Sequence, residues 1–245
     1  MKNQQSGNVM FIILAAIGLI AVLTMSLSNS ERASDNVDSE RINVQLQQIL
    51  DYAGRMESAV NYMMVTNGCH LGQLDFDVPT LLNWDTAGYY QNPNAPADRS
   101  CGVFRGKGGG LKYEVPPEMS EKQGATEYGV LGFFRVNDVG TDDKAEVFLH
   151  TLVPKEACLM LNNQQGVKNP SGLPPEIADL SPDILPYSAT RTFPSSSGSA
   201  VEGVSDVSAY LGVPSLAPEV KGKTIFCIHE LQSDDYHFFY VLVAR

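Results

Sequence analysis

The feature that most constrains this chain is an uncharged apolar run near its start. Residues 9–27 read VMFIILAAIGLIAVLTMSL and contain no charged side chain. In a helix that rises 1.5 Å per residue, a run of this length covers about 28 Å, close to the roughly 30 Å hydrocarbon core of a bilayer. A buried core helix would be shorter and would carry a polar face. The run therefore predicts a membrane-spanning helix, which we place at residues 8–30.

The charges that flank this run predict its orientation. Lys2 and the terminal amine precede it, whereas Glu31, Asp35 and Asp38 are among the mostly acidic residues that follow it. The positive-inside rule then places the N-terminus in the cytoplasm and the rest of the chain outside. A cleaved secretory signal is the alternative, but its apolar part would span about 7–15 residues, and SLSNSERA is only a fair cleavage site. Under either interpretation the remainder of the chain is exported.

Charge and cysteine content narrow the function classes. The formal net charge of −11 argues against a nucleic-acid surface, because phosphate binding requires clustered lysine and arginine. An even number of cysteines in an exported chain predicts two disulfides, and their spacing does not resemble a zinc ribbon or a redox CxxC motif. Four cysteines allow three connectivities, and spacing alone does not choose among them. The cysteines are Cys69, Cys101, Cys158 and Cys227.

Residues 31–68 carry apolar side chains at alternating steps of four and three, which is the spacing of one helical face. This seam consists of Ile42, Leu46, Ile49, Ala53, Met56, Val60 and Met63. Polar residues such as Gln48 and Arg55 lie away from it. The seam predicts a helix whose apolar face docks onto a protein surface. An ordinary coiled-coil stalk is the alternative, because apolar heptads have the same spacing.

The limits of this helix follow from proline and glycine. No proline occurs before Pro79, so nothing interrupts a helix that continues from the apolar run into the seam. Asn67 and Gly68 both tolerate the left-handed conformation that ends helices. We therefore predict one helix from about Asn8 to Thr66, with a first half suited to lipid.

Residues 69–245 show turns and short strands instead. Alternating side chains predict a strand at Leu111–Val115, and Pro79–Trp84 is a short helical candidate. Two hairpins are predicted, formed by Val130–Val136 with Ala145–Leu152 and by Thr224–Leu231 with His237–Ala244. The last strand is apolar on both faces, one carrying Phe238 and Tyr240, so we place it inside an antiparallel sheet that receives the seam. The expected fold class is α+β, with the long N-terminal helix packed on this sheet.

A helix and a long irregular stretch separate the two hairpins. Pro154 opens a short helix that includes ACLMLNNQQ, because proline suits a first helical turn. Residues 166–222 then read as a long loop, bracketed by Cys158 and Cys227. A bridge between these two cysteines would remove about 4 kcal/mol of chain freedom from the unfolded state, which gives a physical reason for their positions.

Two loop motifs carry weak chemical signals. RGKGGG at residues 105–110 lacks the GxxxxGK[ST] order of a phosphate loop and a following helix, so a flexible loop is the better interpretation. Asn137, Asp138, Asp142 and Asp143 miss the spacing of an EF-hand and lie where a hairpin must turn. We interpret them as a solvated turn, with calcium as the alternative.

The histidines predict no metal site. There are four, they are widely spaced, and no HExxH motif occurs. His229 and Glu230 are neighbours on a predicted strand, where successive side chains point to opposite faces. No GxSxG or similar nucleophile motif is present either. The expectation is a chain without catalytic residues, metal or cofactor, which is not an enzyme. The four histidines are His70, His150, His229 and His237.

The start of the chain resembles a prepilin of the type IV pilin-like family. A short polar, basic leader, KNQQSG, ends in glycine and precedes the apolar helix NVMFIILAAIGLIAVLTM. The resemblance implies a leader at residues 1–7, cleavage after Gly7 by a prepilin peptidase and methylation of the new N-terminus at Asn8. It also implies that the helix first lies in the membrane and then packs in a filament core. The first residues of that core helix are Val9, Met10, Phe11 and Ile12.

The head resembles type IVb pilins, in which a cysteine-bearing helix precedes the last strands and a disulfide delimits the C-terminal region. PKEACLMLNN and the loop up to Cys227 occupy the corresponding places. On this resemblance Cys158 pairs with Cys227, which leaves Cys69 for Cys101.

Two positions depart from the family pattern. Pilins usually carry glutamate at mature position five, which is Ile12 here, and Phe or Met at position one, which is Asn8. Some minor pilins, especially tip subunits of type II secretion pseudopili, lack this glutamate. The resemblance therefore implies a minor or tip-located structural subunit. Its partners would be other pilin-like subunits, the prepilin peptidase and the bacterial inner membrane, N-terminus in and C-terminus out. After assembly it would lie in a periplasmic or extracellular filament.

A second function class remains open on the sequence. A single-pass protein with an exported head that binds a ligand or partner, without polymerising, would show the same anchor and disulfides. Only the filament subunit requires cleavage after Gly7.

Overall fold

The structure is a computed structural model that describes residues 7–77, 92, 94–117, 128–131, 135–140, 146–178 and 210–244. The chain divides into two compact units, Met1–Val44 and Gln45–Arg245, which are described separately. The predicted short helix at Pro79–Trp84 lies outside the described residues, as does the predicted leader up to Ser6.

Helix α1 spans Gly7–Thr66 and contains 60 residues, against a predicted start at about Asn8. In the first unit only some side chains are described, and five of these are large, apolar and at least half exposed: Ile13, Ile17, Leu19, Ile20 and Val44. Most side chains of the predicted span at residues 9–27 lie outside the described residues. A search of the described residues for a helix both long and apolar enough to span a bilayer found none.

The part of α1 in the second unit buries the predicted seam. Six of the seven seam residues, from Leu46 to Met63, lie in this unit and are at most 1% exposed; Ile42 belongs to the first unit. Gln48 and Arg55 are exposed, as expected for the opposite face. The helix stops at the predicted place, where Gly68 has a φ of 66° and the Cys69 amide donates to the Met63 carbonyl at 3.1 Å. The alternation of four and three therefore identified a buried helical face.

The remaining elements form two sheets and a second helix. In chain order they are β1 (Gly129–Leu131), β2 (Arg135–Val136), β3 (Val147–Leu152), α2 (Lys155–Gln165), β4 (Glu176–Ile177), β5 (Tyr210–Leu211), β6 (Ile225–Glu230) and β7 (Asp235–Val243). The larger sheet has the order β1-β3-β7-β6-β4. Its first four strands are antiparallel, β4 joins β6 in parallel, and β2 pairs with β5 in parallel. The second unit is therefore an α+β fold with a mainly antiparallel sheet.

Of the two predicted hairpins, one is confirmed and the other is only partly right. The C-terminal hairpin is confirmed, because β6 and β7 pair directly and Cys227 lies opposite Phe238. The first prediction is only partly right. Val130 does lie opposite Leu149, but Arg135–Val136 leaves this sheet and pairs with β5. Val136 is 2% exposed in the apolar cluster that covers one face of the larger sheet, beside Leu211 of β5.

The predicted strand at Leu111–Val115 is wrong: this segment is irregular and pairs with no strand in the part of the chain that the structure describes. Its backbone is used locally instead: the Leu111 amide donates to the Val103 carbonyl at 3.1 Å. One of its polar side chains contacts α1: the Glu114 carboxylate receives two hydrogen bonds from Arg55, at 3.0 and 2.9 Å. Val115, which belongs to the alternating apolar set, is 62% exposed.

Both faces of the larger sheet are covered, and β7 lies inside it as predicted. On one face, the Tyr240 hydroxyl donates to the Glu57 carboxylate of α1 at 2.6 Å, and Cys227 is bridged to α2. On the other face Phe148, Phe226 and Phe239 form the centre of an apolar cluster. The edge-to-face arrangement of Phe148 against Phe239, with centroids 5.8 Å apart, is a favourable aromatic geometry.

The second face corrects the prediction of one long irregular loop at residues 166–222. Its described parts include β4 and β5, and they supply buried side chains to the cluster around Phe226. These side chains are Val167, Ile177, Leu211, Ala217 and Val220. Residues 179–209 lie outside the described residues. The buried side chains of this stretch are unevenly spaced along it, so local periodicity did not reveal that it covers a sheet.

The predicted disulfide pairing is confirmed. Cys69 is bonded to Cys101 and Cys158 to Cys227, with sequence separations of 32 and 69. Each bridge closes the unit that the sequence suggested, the first at the end of α1 and the second between α2 and β6. Peptide mapping of the purified chain without reduction should recover these two linked peptide pairs. Recovery of Cys69 linked to Cys158 or Cys227 would contradict the pairing.

Candidate functional site

The residues predicted for processing and assembly begin the first unit. Gly7 is the first residue of α1, and Asn8 to Ile12 follow within the helix. The side chains of Asn8, Val9, Met10, Phe11 and Ile12 lie outside the described residues.

The junction of α2 with β6 is built on a single strand residue, Cys227. Cys158 is bonded to its sulfur, and one turn later Asn162 binds its backbone: the amide Nδ2 donates to the Cys227 carbonyl at 3.0 Å, and Oδ1 accepts from the Cys227 amide at 2.9 Å. A side-chain amide thereby replaces a neighbouring strand where β4 does not extend. Since buried backbone groups must be paired, Asn162 seals this strand edge.

Replacing Asn162 by alanine should lower the free energy of unfolding by about 2–5 kcal/mol, because two buried backbone groups of Cys227 would lose their partners. Denaturant unfolding monitored by circular dichroism measures this effect. Asn163→Ala is the matched control, since Asn163 is exposed and adjacent, and it should cost less than about 1 kcal/mol. Equal losses in the two variants would show that Asn162 does not seal the edge.

The structure brings together two histidines that are 87 positions apart. His150 on β3 and His237 on β7 stack with ring centroids 5.1 Å apart, and His150 Nε2 lies 2.9 Å from His237 Nδ1. Burial lowers the pKa of His150 well below its ordinary value, and the neighbouring His237 adds to this. Burial also lowers the pKa of His237, against the attraction of Glu230. Both rings are therefore neutral at neutral pH, so one nitrogen donates and the other accepts.

Acidic groups meet the other nitrogen of His237 at the β6–β7 turn. His237 Nε2 lies 3.2 Å from Glu230 Oε2, and the Ser233 hydroxyl donates to the same oxygen at 2.6 Å. A carboxylate oxygen of Asp235 completes the group, and the three ligand atoms lie within 4.8 Å of one another. Glu230 and His237 are 5% and 4% exposed, so this polar group is largely removed from water.

His229 takes part in a different arrangement. Its Nε2 lies 2.9 Å from Asp234 Oδ1, and its ring stacks on Tyr236 at 4.5 Å between centroids. His229 and Glu230 point to opposite faces of β6, as predicted from their positions on a strand. Of the four histidines, the fold joins only His150 and His237; His70 is exposed near the end of α1.

The RGKGGG segment is a packed turn, which corrects its interpretation as a flexible loop. Gly109 donates to the Gly102 carbonyl at 3.0 Å, and a Cβ at Gly108 would lie only 2.0 Å from that same oxygen. Glycine is therefore required for close approach of two backbone segments. Arg105 forms an ion pair with Asp77, so its charge is already balanced within the chain.

The suggested calcium residues are only partly described. Asp142 and Asp143 lie outside the described residues. Asp138 has a φ of 64° in the turn after β2, and its carboxylate lies 3.1 Å from Lys221 Nζ. The side-chain amide Nδ2 of Asn137 donates to the Gly212 carbonyl at 3.4 Å. Both residues thus act in the turn, in agreement with its interpretation as a solvated turn.

Comparisons with protein-family models, with curated proteins and with solved structures found no match to this chain. Its function must therefore be inferred from its own residues.

Proposed function

We propose that the chain is a structural subunit, minor or tip-located, of a type IV pilus or of a type II secretion-like pseudopilus. In this proposal it is not an enzyme. A prepilin peptidase removes residues 1–7, Asn8 becomes the methylated N-terminus, and other pilin-like subunits are the assembly partners. The subunit waits in the bacterial inner membrane with its head outside, and later enters a periplasmic or extracellular filament.

The observation that carries the proposal is the burial of the helical seam beneath an antiparallel sheet. Val60 and Met63 are 0% exposed, and Glu57 of the same helix accepts a hydrogen bond from Tyr240 on the central strand. This is the plan expected of a pilin head, in which the C-terminal half of a long helix docks onto the sheet. The Cys158–Cys227 bridge adds the disulfide-delimited C-terminal region of the type IVb kind.

The exposed apolar side chains of the first unit supply a second argument. Ile13, Ile17 and Ile20 are 54%, 58% and 62% exposed, and their spacing of four and three places them on one side of α1. Apolar residues exposed together mark a surface that another apolar phase covers. In the proposal, lipid covers them before assembly and the helices of neighbouring subunits cover them afterwards.

The tip position follows from Ile12. In a helical filament the new terminal amine of each subunit is buried and needs a negative partner, since a buried unpaired charge is costly. The family's fifth-position carboxylate is expected to provide this partner to the adjoining subunit. Ile12 has no charge to offer. A subunit at the tip does not have to neutralise an earlier subunit's amine, so it tolerates this residue.

The same residue favours one other candidate. A membrane-anchored protein whose head binds a ligand or partner without polymerising also needs no carboxylate at Ile12. The two candidates differ in whether Gly7 is a cleavage site and whether the chain is found in filaments.

Quantitative mass spectrometry of purified filaments tests the proposed position. We expect the chain to be present in filaments at far lower abundance than the major pilin, because a tip accommodates few copies. Abundance comparable to the major pilin, with this chain repeating along the shaft, would contradict the tip position and leave the filament role standing. Its absence from filaments would favour the anchored, non-polymerising candidate.

A further inference from the structure

We propose that Glu230, Asp235 and His237, at the β6–β7 turn, form a binding site for one divalent transition metal ion, with zinc as the best-fitting ion. This inference does not depend on the proposed filament role. It also differs from the expectation drawn from sequence, where the histidines are scattered and no metal motif occurs.

The spacing of the ligand atoms fits one ion. His237 Nε2 and Glu230 Oε2 are 3.2 Å apart. Two bonds of about 2.0–2.1 Å at a tetrahedral angle separate their ligand atoms by about 3.3 Å. The Asp235 oxygen completes a group within 4.8 Å, and this residue is half-exposed, so a small rotation of its side chain brings it into bonding range. Three protein ligands with a fourth position for water is a common arrangement for zinc.

The chemical types of the three ligands indicate which metal ions the site would bind. One imidazole with two carboxylates suits zinc and its transition-metal neighbours, whereas calcium and magnesium favour sites made only of oxygen. His237 Nε2 is buried and has no hydrogen-bond partner with acceptable geometry, even though Glu230 lies near it. A buried nitrogen in that condition is unfavourable by itself. A metal ion between the two groups would satisfy the nitrogen and balance the buried carboxylate.

Neighbouring residues orient the ligands in the way that metal sites require. Metal-binding histidines usually donate their other N–H to a nearby acceptor, which fixes the ring and raises its basicity. Here His237 Nδ1 lies 2.9 Å from His150 Nε2, which can accept that proton. The Ser233 hydroxyl holds the Glu230 carboxylate from the other side, at 2.6 Å. In this proposal His150 orients the ring of the metal ligand His237.

Binding of zinc chloride to the EDTA-treated full chain tests the site. Isothermal titration calorimetry should give one equivalent of bound zinc, and saturation should raise the thermal unfolding midpoint by several degrees, because an ion that binds only the folded state stabilises it. Asp235→Asn removes a ligand oxygen's charge and should weaken zinc binding about tenfold or more. Asp234→Asn is the matched control: it makes the same change at the neighbouring residue, which faces His229, and should bind zinc as the wild type does.

Cobalt(II) provides a readout that needs no variant. The wild-type chain loaded with cobalt should show the strong visible absorption of a four-coordinate ion, and added zinc should abolish it. The proposal is overturned if the wild type binds no zinc, or if Asp235→Asn binds it with unchanged affinity. Equal weakening by Asp234→Asn, or only the weak absorption of hydrated cobalt, would overturn it as well.

Discussion

Replacing Met56 by aspartate should unfold the second unit of the chain. Met56 is 1% exposed at the middle of the buried seam. The substitution removes an apolar side chain, a loss of about 2–5 kcal/mol in a core, and adds a carboxylate with no cation beside it, which costs several kcal/mol more. Small domains are stable by only about 5–15 kcal/mol, so the sum is comparable to the whole stability. Val60→Asp, at 0% exposure one turn further on, should have the same effect.

Thermal and urea unfolding of the full chain, followed by circular dichroism, measures this effect. Gln48→Asp is the matched control, because it adds the same carboxylate to the exposed face of the same helix. It should change the free energy of unfolding by less than about 1 kcal/mol. An unchanged melting curve for Met56→Asp would mean that the seam does not dock onto the sheet, and the proposed architecture would fail with it.

Removing the second disulfide should produce the next largest loss. The double variant Cys158→Ala, Cys227→Ala frees a loop with a separation of 69 residues, and the chain-entropy model gives about 4 kcal/mol for that closure. Both sulfurs are fully buried, so their removal also costs packing. The bridge joins α2 to β6 one turn before Asn162, which binds the same strand residue. We therefore expect the double variant to unfold at a much lower urea concentration.

Urea unfolding with and without a reductant separates the bond from the packing. Reductant should destabilise the wild type by breaking the Cys158–Cys227 bridge. The double variant lacks this bridge, so reductant can act only on its Cys69–Cys101 bridge. The double variant Cys69→Ala, Cys101→Ala provides the comparison, since it opens a shorter loop with a separation of 32 residues and should cost slightly less on the same model. A Cys158, Cys227 double variant with the wild-type urea midpoint would contradict the role assigned to the bridge.

Features of the fold that depend on local periodicity could be predicted from sequence. The seam from Leu46 to Met63 repeats every three or four residues, so the helix and its buried face follow directly from the spacing. The C-terminal hairpin was equally accessible, because two apolar runs flank a short turn rich in Ser and Asp. The disulfide pairing followed from the resemblance to type IVb pilins, and from the closure of local units.

Features that depend on long-range contact could not be predicted. Strands β4 and β5 have two residues each, which is too short for any alternating pattern. Ile177 of β4 and Leu211 of β5 are buried because these strands lie over the second face of the sheet. The strand predicted at Leu111–Val115 failed for a related reason: a short alternation of apolar and polar residues does not show whether a partner strand lies beside it.

The candidate metal site was hidden for the same physical reason. Its central residue, His237, is buried beside His150, which comes from a strand 87 positions earlier. No spacing in the sequence reports that two strands are neighbours in a sheet. Glu230 and Asp235 do flank one short turn, and the alternation of β6 and β7 could have shown that they share a face with His237. That shared face could be predicted only after the register of β6 against β7 was known, which places Glu230 opposite Asp235.

Cleavage after Gly7 is the central requirement of the proposed function, and N-terminal sequencing of the chain from its native membrane or filament tests it most directly. We expect a sequence that begins Asn8-Val9-Met10, with a methyl group on the Asn8 amine. The intact mass should be lower by the mass of the leader. A Gly7→Asp variant should keep its leader and be missing from filaments. A native chain that still begins at Met1, or one that begins within residues 26–33 as a cleaved secretory signal would leave it, would contradict the proposed function.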